Sequence, residues 1–169
     1  LNKYSNTNLP NCDESIFCVK KILSISDAAA LALHTMALLA SQPERVFPVC
    51  EIAAALNGAS ENHLSKVLQR LARDGFVRSV RGPAGGFKIA PNQQKQTLLS
   101  IFESIEGTFK PDDCLLGIPA CGRGKCILGN LLRSINDQFK NALKSARLSD
   151  LSPAFSISNI NSNKRGKRK

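Results

Sequence analysis

The chain has 169 residues, 43% of them apolar and 21% charged, and its 23 Lys and Arg outnumber 13 Asp and Glu. That suits one globular domain with tails, and six cysteines fall well short of the ~8–10% that marks a disulfide scaffold. The longest apolar stretch, residues 28–40, is shorter than the roughly twenty residues a bilayer needs, and residues 1–20 lack the pattern of a signal peptide, so a cytoplasmic protein with no membrane role is expected.

Residues 1–20 are polar, Asn-rich and aperiodic, and read as a flexible N-terminal extension in which Cys12 and Cys18 carry no pattern. Asp27 to Ala40 predicts a helix with Leu31, Met36, Leu38 and Leu39 as its apolar body. Pro48 opens a short helix, Val49–Leu56, at a position where its missing N–H costs nothing. Cys50 falls on the inner face of that helix, as a small buried hydrophobe. Asn57-Gly58-Ala59 predicts a tight turn, because Asn and Gly accept positive φ. Ser60 then caps a helix from Glu61 to Arg73, on which Leu64, Val67, Leu68 and Leu71 repeat at helical spacing, and Asp74-Gly75 closes it.

Phe76–Val80 alternates and is rich in β-branched and aromatic residues, so it reads as a strand. Gly82-Pro83-Ala84-Gly85-Gly86 makes a turn, and Phe87-Lys88-Ile89 returns. Thr97–Glu106 predicts a short amphipathic helix, residues 107–125 look irregular, and Cys126 to Leu148 resumes helical period. The fold class is mainly α with a small β-hairpin: two helices across a tight turn followed by a wing, a winged helix-turn-helix. The chain divides into an extension (1–20), the winged helix-turn-helix (21–92), a cysteine loop with further helices (93–151) and a disordered basic tail (152–169).

Half of the excess positive charge lies in that tail, on Lys164, Arg165, Lys167, Arg168 and Lys169, where it would attract polyanions. In the body, Lys66, Arg70, Arg73, Arg78, Arg81 and Lys88 face only Glu61 and Asp74 between residues 61 and 88. Such a focused patch is the footprint expected for a phosphate backbone, the plain alternative being a solvated helix face. In a winged helix-turn-helix the helix from Ser60 offers its first turns to the major groove, and Asn62, His63 and Lys66 point away from the apolar stripe. Arg81, before a run of glycines, can approach the backbone or a narrow A·T minor groove. Ser60, Arg70, Arg78, Gly82 and Gly85 complete the candidate DNA-contact set.

Cys114, Cys121 and Cys126 stand at x6 and x4 spacing among Gly117, Pro119, Gly122 and Gly124, so three thiols can converge on one centre. Thiolates suit zinc, Cu(I) and iron–sulfur clusters, but three are one short of the usual four, and the spacing leaves cluster, zinc and a bare redox triad open. Arg123 and Lys125 would favour the thiolate forms. No nucleophile–base pairing, phosphate loop or carboxylate pair points to an enzyme.

Asn62-His63-Leu64, Lys66-Val67, Leu71, Gly75-Phe76-Val77, Val80-Arg81-Gly82 and Gly85-Gly86, followed by the three-cysteine loop, resemble the IscR/NsrR family of bacterial winged-helix transcriptional regulators (the Rrf-type regulators) over residues 21–151. The resemblance implies a homodimer held by a long C-terminal dimerisation helix, here 126–148, binding palindromic double-stranded DNA operators and mostly repressing. It further implies a 2Fe–2S or 4Fe–4S cluster on Cys114, Cys121 and Cys126, whose state sets operator affinity in response to nitric oxide, iron, iron–sulfur status or oxidation. Asn62, His63 and Lys66 become recognition contacts and Arg81 the wing contact. Gly129 stands where IscR-like members place a ligating His, whereas Asp27 matches the Asp that NsrR-like members can use as a further ligand. Ala28-Ala29-Ala30 replaces residues around a Tyr in many relatives. An NsrR-like sensor is the preferred reading, the alternative being the same regulator with structural zinc or thiol switching and no cluster.

Overall fold

The computed structural model describes residues 25–111, 128 and 130–151. Among these residues six α-helices and one hairpin follow in order: α1 (Asp27–Ser41), α2 (Val49–Ala55), α3 (Glu61–Arg73), β1 (Val77–Val80), β2 (Gly86–Ile89), α4 (Leu98–Glu106), α5 (Leu131–Ser145) and α6 (Leu148–Leu151), with one 3₁₀ turn at Gln93–Lys95. This is the expected winged helix-turn-helix with further helices.

α1 is the central element, packed against α3, α4 and α6. Ala29, Ala32, Ala37 and Ala40 along it are buried, and side chains this small let neighbouring backbones come close. Its cap is Ser26, whose Oγ accepts from the Ala29 N–H at 3.1 Å. The Ser26 N–H in turn donates to Glu106 Oε1 at 3.0 Å, tying the start of α1 to the end of α4. One apolar core runs without interruption from Met36, Leu38 and Leu39 through Leu64, Leu68 and Leu71 to Ile101, Leu143 and Leu148. Phe102 meets Phe139 edge-on at 5.8 Å and Phe109 at 6.2 Å, and this aromatic cluster seats α5 on α4.

The hairpin is antiparallel, pairing Val77 with Ile89 through to Val80 with Gly86. A third segment joins the hairpin from the loop before α2. Phe47 and Phe87 exchange both backbone hydrogen bonds at 2.9 Å, which fixes the wing to the helix-turn-helix.

Two expectations need correction. Cys50 is exposed, not buried: in a helix of only seven residues, Ile52 and Ala53 take the inner face. Among the described residues the C-terminal helix runs from Leu131 and stops at Ser145 rather than reaching Leu148, while Cys126, its expected start, lies outside them. Its end is imposed from outside. Ala146 turns extended, Thr97 and Arg147 pair as an antiparallel bridge, and the Leu148 N–H donates to the Gln96 carbonyl at 3.0 Å. No helix among the described residues is long and apolar enough to cross a membrane.

Candidate nucleic-acid interface

The turn between α2 and α3 is built by two consecutive left-handed residues, Asn57 (φ 57°) and Gly58 (φ 78°), which reverse the chain in the space of one residue pair. Ser60 Oγ then accepts from the His63 N–H at 3.4 Å, starting α3 with a long capping bond. Leu64, Val67, Leu68 and Leu71 are buried, which fixes the rotation of α3 about its axis. The opposite face is thereby presented to solvent, with Asn62, Lys66, Arg70 and Arg73 all exposed. Gly75, at φ 81°, ends the helix as its residue type requires.

The wing adds Arg78 and Arg81, both exposed, and a half-buried Lys88. Gly82 lies at φ 119° and its carbonyl accepts from the Gly85 N–H at 2.9 Å, closing the tip. A Cβ on Gly85 would stand 2.5 Å from the Val80 carbonyl oxygen. A Cβ on Gly86 would overlap the Phe47 carbonyl itself. The two glycines thus serve different ends: Gly85 allows the tip, and Gly86 allows the wing to dock. Phe47, and the docking role of Gly86, which the sequence marks only as part of the turn and of the wing motif, escaped the sequence reading, because nothing local marks a contact between segments forty residues apart.

Lys66, Arg70, Arg78, Arg81 and Lys88 form no ion pair with any described residue; of this group of cations only Arg73 has a partner, Asp74 at 3.8 Å. Exposed positive charge without internal partners is available to an external polyanion, and that is the electrostatic need of a phosphate backbone. Arg45 by contrast is consumed internally, bonding Glu51 at 2.6 Å and lying over the Phe47 ring at 4.6 Å, where it braces the loop that holds the wing.

His63 sits differently from its neighbours on α3. It is half-buried and lines a cavity of about 620 Å³ between α1 and the α2–α3 turn, together with Asp27, Ala30, Leu31, His34 and Leu56. Both histidines of the chain therefore face one space. The His34 Nδ1–H donates to the Ala30 carbonyl at 2.7 Å. Asp27, the first residue of α1, is exposed at the rim. Cys114, Cys121 and Cys126 lie outside the described residues, and no group of three His, Cys, Asp or Glu among the described ones could hold a metal ion.

A capped, amphipathic helix and a glycine-tipped wing, both carrying exposed and unpaired cations, are the parts of a winged-helix DNA-binding transcriptional regulator. Residues 25–154 match the family Rrf2, described as an iron-dependent transcriptional regulator, and the chain belongs to that family. It is 32% identical over 129 residues to a helix-turn-helix-type transcriptional regulator of Aquifex aeolicus, covering 75% of this chain and 89% of that one. It is 26% identical over 122 residues to the regulator IscR of Pectobacterium atrosepticum, covering 72% of this chain and 69% of that one. Among solved structures it resembles CymR, the global cysteine regulator of B. subtilis, with a TM-score of 0.62 at 25% identity over 79% of this chain and 99% of that one. The fold is also that of T. potens IscR, with a TM-score of 0.58 at 23% identity over 79% and 89% of the two chains. These relatives are transcriptional regulators, not enzymes.

Proposed function

We propose that the chain is a repressor that binds a palindromic operator as a homodimer, with α3 in the major groove and the wing on the flanking backbone. The observation that carries this reading is a set of unpaired cations: Lys66 and Arg70 on α3 and Arg78 and Arg81 on the wing are exposed, and none is neutralised within the described chain. Asn62 supplies an amide suited to a base edge, and Lys66, one turn further along the helix, reaches a base or a phosphate. Ser60 and Arg70 border this strip on α3, while Gly82 and Gly85 let the wing tip come close to the duplex. Arg81 serves the minor groove or its phosphates.

Regulation comes from Cys114, Cys121 and Cys126, which together with Asp27 would hold an iron–sulfur cluster. Three thiolates and one carboxylate fit that group by chemistry, and when bound it supplies sensitivity to nitric oxide, iron supply and oxidation. What favours a link to DNA binding is the placement of Asp27, which shares its cavity with His63 on the first turn of α3. The backbone leading toward Cys114 is anchored as well. Glu103 Oε1 accepts from the Phe109 N–H at 2.9 Å, and Glu106 holds the Ser26 N–H, so the end of α4 and the start of α1 move as a unit. A hundredfold change in operator affinity requires about 2.7 kcal/mol of differential binding, within the usual range of coupling between two sites.

The deciding measurement is the visible spectrum of anaerobically purified protein, with iron, sulfide and zinc counted per chain. Brown protein with two or four iron and matching sulfide, on the order of the known cluster types, supports the cluster sensor. Colourless protein with one zinc, or with no metal after reconstitution, replaces it with the same regulator using structural zinc or thiol oxidation. Selection of bound sequences from random duplexes tests the operator: an inverted repeat is expected, and a half-site alone refutes the dimeric reading.

A further inference from the structure

The two four-residue strands of the wing bury one face of the hairpin. Val77 and Ile89, paired across it, are 2% and 5% exposed. Side chains alternate along a strand, so the next pair, Arg78 opposite Lys88, lies on the other face. Arg78 is exposed and Lys88 half-buried, and neither forms an ion pair with a described residue. Directly opposed side chains in an antiparallel hairpin stand with their Cβ atoms about 5 Å apart, and like charges there destabilise the pairing. The half-burial of Lys88 sharpens the repulsion, because water screens it less. A carboxylate at either position would stabilise the same hairpin. The wing is therefore built against its own electrostatics at this pair, and a bound anion is what reverses the sign.

We propose that Arg78 and Lys88 together hold one phosphodiester of the DNA backbone on the outer face of the wing. The proposal rests on the DNA-binding reading above, and it gives Lys88 a role separate from that of Arg81 at the tip. The guanidinium fork of Arg78 matches the two free oxygens of a phosphodiester, and the Lys88 ammonium adds a point charge to the same group. The phosphate cancels the repulsion between the two cations, so the complex gains by relieving a penalty that the free protein carries. Stability and DNA binding are opposed at this pair. Whatever neutralises one cation strengthens the wing and weakens the complex.

The test uses the full chain and its Arg78→Gln, Lys88→Gln, Lys88→Glu and R78Q/K88Q variants. Thermal unfolding is followed without DNA, and fluorescence anisotropy on a random-sequence duplex across roughly 50 to 200 mM NaCl. Arg78→Gln and Lys88→Gln should each raise Tm by about 1–4 °C, and Lys88→Glu by more, since it pairs with Arg78. Each Gln variant should weaken duplex binding about two- to fivefold, the worth of an exposed ion pair. Because one phosphate is shared, the slope of log K against log salt should change little in the single variants and fall by about 0.9 per chain in the double one. Falls of about 0.9 in each single variant and about 1.8 in the double would mean two separate phosphates and overturn the shared site. A lower Tm in both Gln variants also overturns it, by showing that the pair does not repel. Unchanged duplex binding in all of these variants, with Lys66→Ala still weakening it, overturns the proposal and leaves the DNA-binding reading standing. If inorganic phosphate at matched ionic strength raises the parent's Tm but not that of the double variant, while duplex binding is unaffected, the pair takes a free anion and the proposal falls. If the parent binds no duplex at low salt, both readings fall together.

Discussion

Replacing Gly86 with Ala is the sharpest test of how the wing is held. The added methyl would overlap the Phe47 carbonyl and lie 2.9 Å from the Pro48 nitrogen, all of it backbone that no rotamer change can move aside. Accommodation requires the Phe47–Phe87 pairing to open, which breaks two backbone hydrogen bonds of 2.9 Å. At about 0.5–1.5 kcal/mol net for each bond, the loss is roughly 1–3 kcal/mol. Phe47 is 1% exposed, and partial withdrawal of its ring adds on the order of 1 kcal/mol. A total of about 2–4 kcal/mol follows. Gly85→Ala, whose clash lies at the tip against Val80 and Gly82, should cost about 1–3 kcal/mol as local overpacking. Gly82→Ala meets nothing within 4 Å and carries only the strain of φ 119°, of order 1 kcal/mol. Urea unfolding followed by far-UV circular dichroism ranks the three. If Gly86→Ala lies within about 0.5 kcal/mol of the parent, the Phe47–Phe87 pairing contributes nothing and the account of wing docking is wrong.

Leu68→Ala should destabilise the fold by about 2–5 kcal/mol, because Leu68 is fully buried under α3, and the same urea titration checks it. Cys50→Ser should fall within about 0.5 kcal/mol of the parent, since the side chain is exposed; a larger loss would return Cys50 to the core. Arg81→Ala should weaken duplex binding whether or not metal is bound and reduce the salt slope by about 0.9 per chain, measured by anisotropy. Cys121→Ala should instead leave metal-free binding intact and abolish the difference between metal-loaded and metal-free protein. Equal losses from these two variants in metal-free protein would refute the division between reading and sensing residues.

The helix-turn-helix was legible in the sequence because its determinants are local. Ser60, the stripe from Leu64 to Leu71 and Gly75 lie within sixteen residues and act through neighbouring turns. The hairpin was legible for the same reason, its turn glycines standing between two alternating runs. Contacts between distant segments were not. Phe47 joins the sheet as a single residue, too short for any period to reveal. Helical propensity runs through Ala146, yet the chain breaks there because Thr97 and Gln96 offer its backbone extended partners. The face of α2 was misjudged because two turns of helix cannot define a stripe, and the small apolar character of Cys50 suggested the inside. In the candidate site, the exposed Asn62, Lys66 and Arg70 follow directly from the stripe they avoid. The cavity shared by Asp27, His34 and His63 requires α1 to be laid across the α2–α3 turn, which only the packing reveals.

The pinning of Phe87 to Phe47 has a consequence for how this protein measures DNA. With that pairing in place, the separation between the reading helix and the wing tip becomes a property of the protein, as on a caliper with its jaw locked. The duplex must then supply whatever bend or groove width brings both contacts into reach, and sequences that deform cheaply are favoured at base pairs no side chain touches. Substitutions in the loop bearing Arg45 and Phe47, away from the contact surface, would reset the jaw and alter preference at the flanks of the site before its centre.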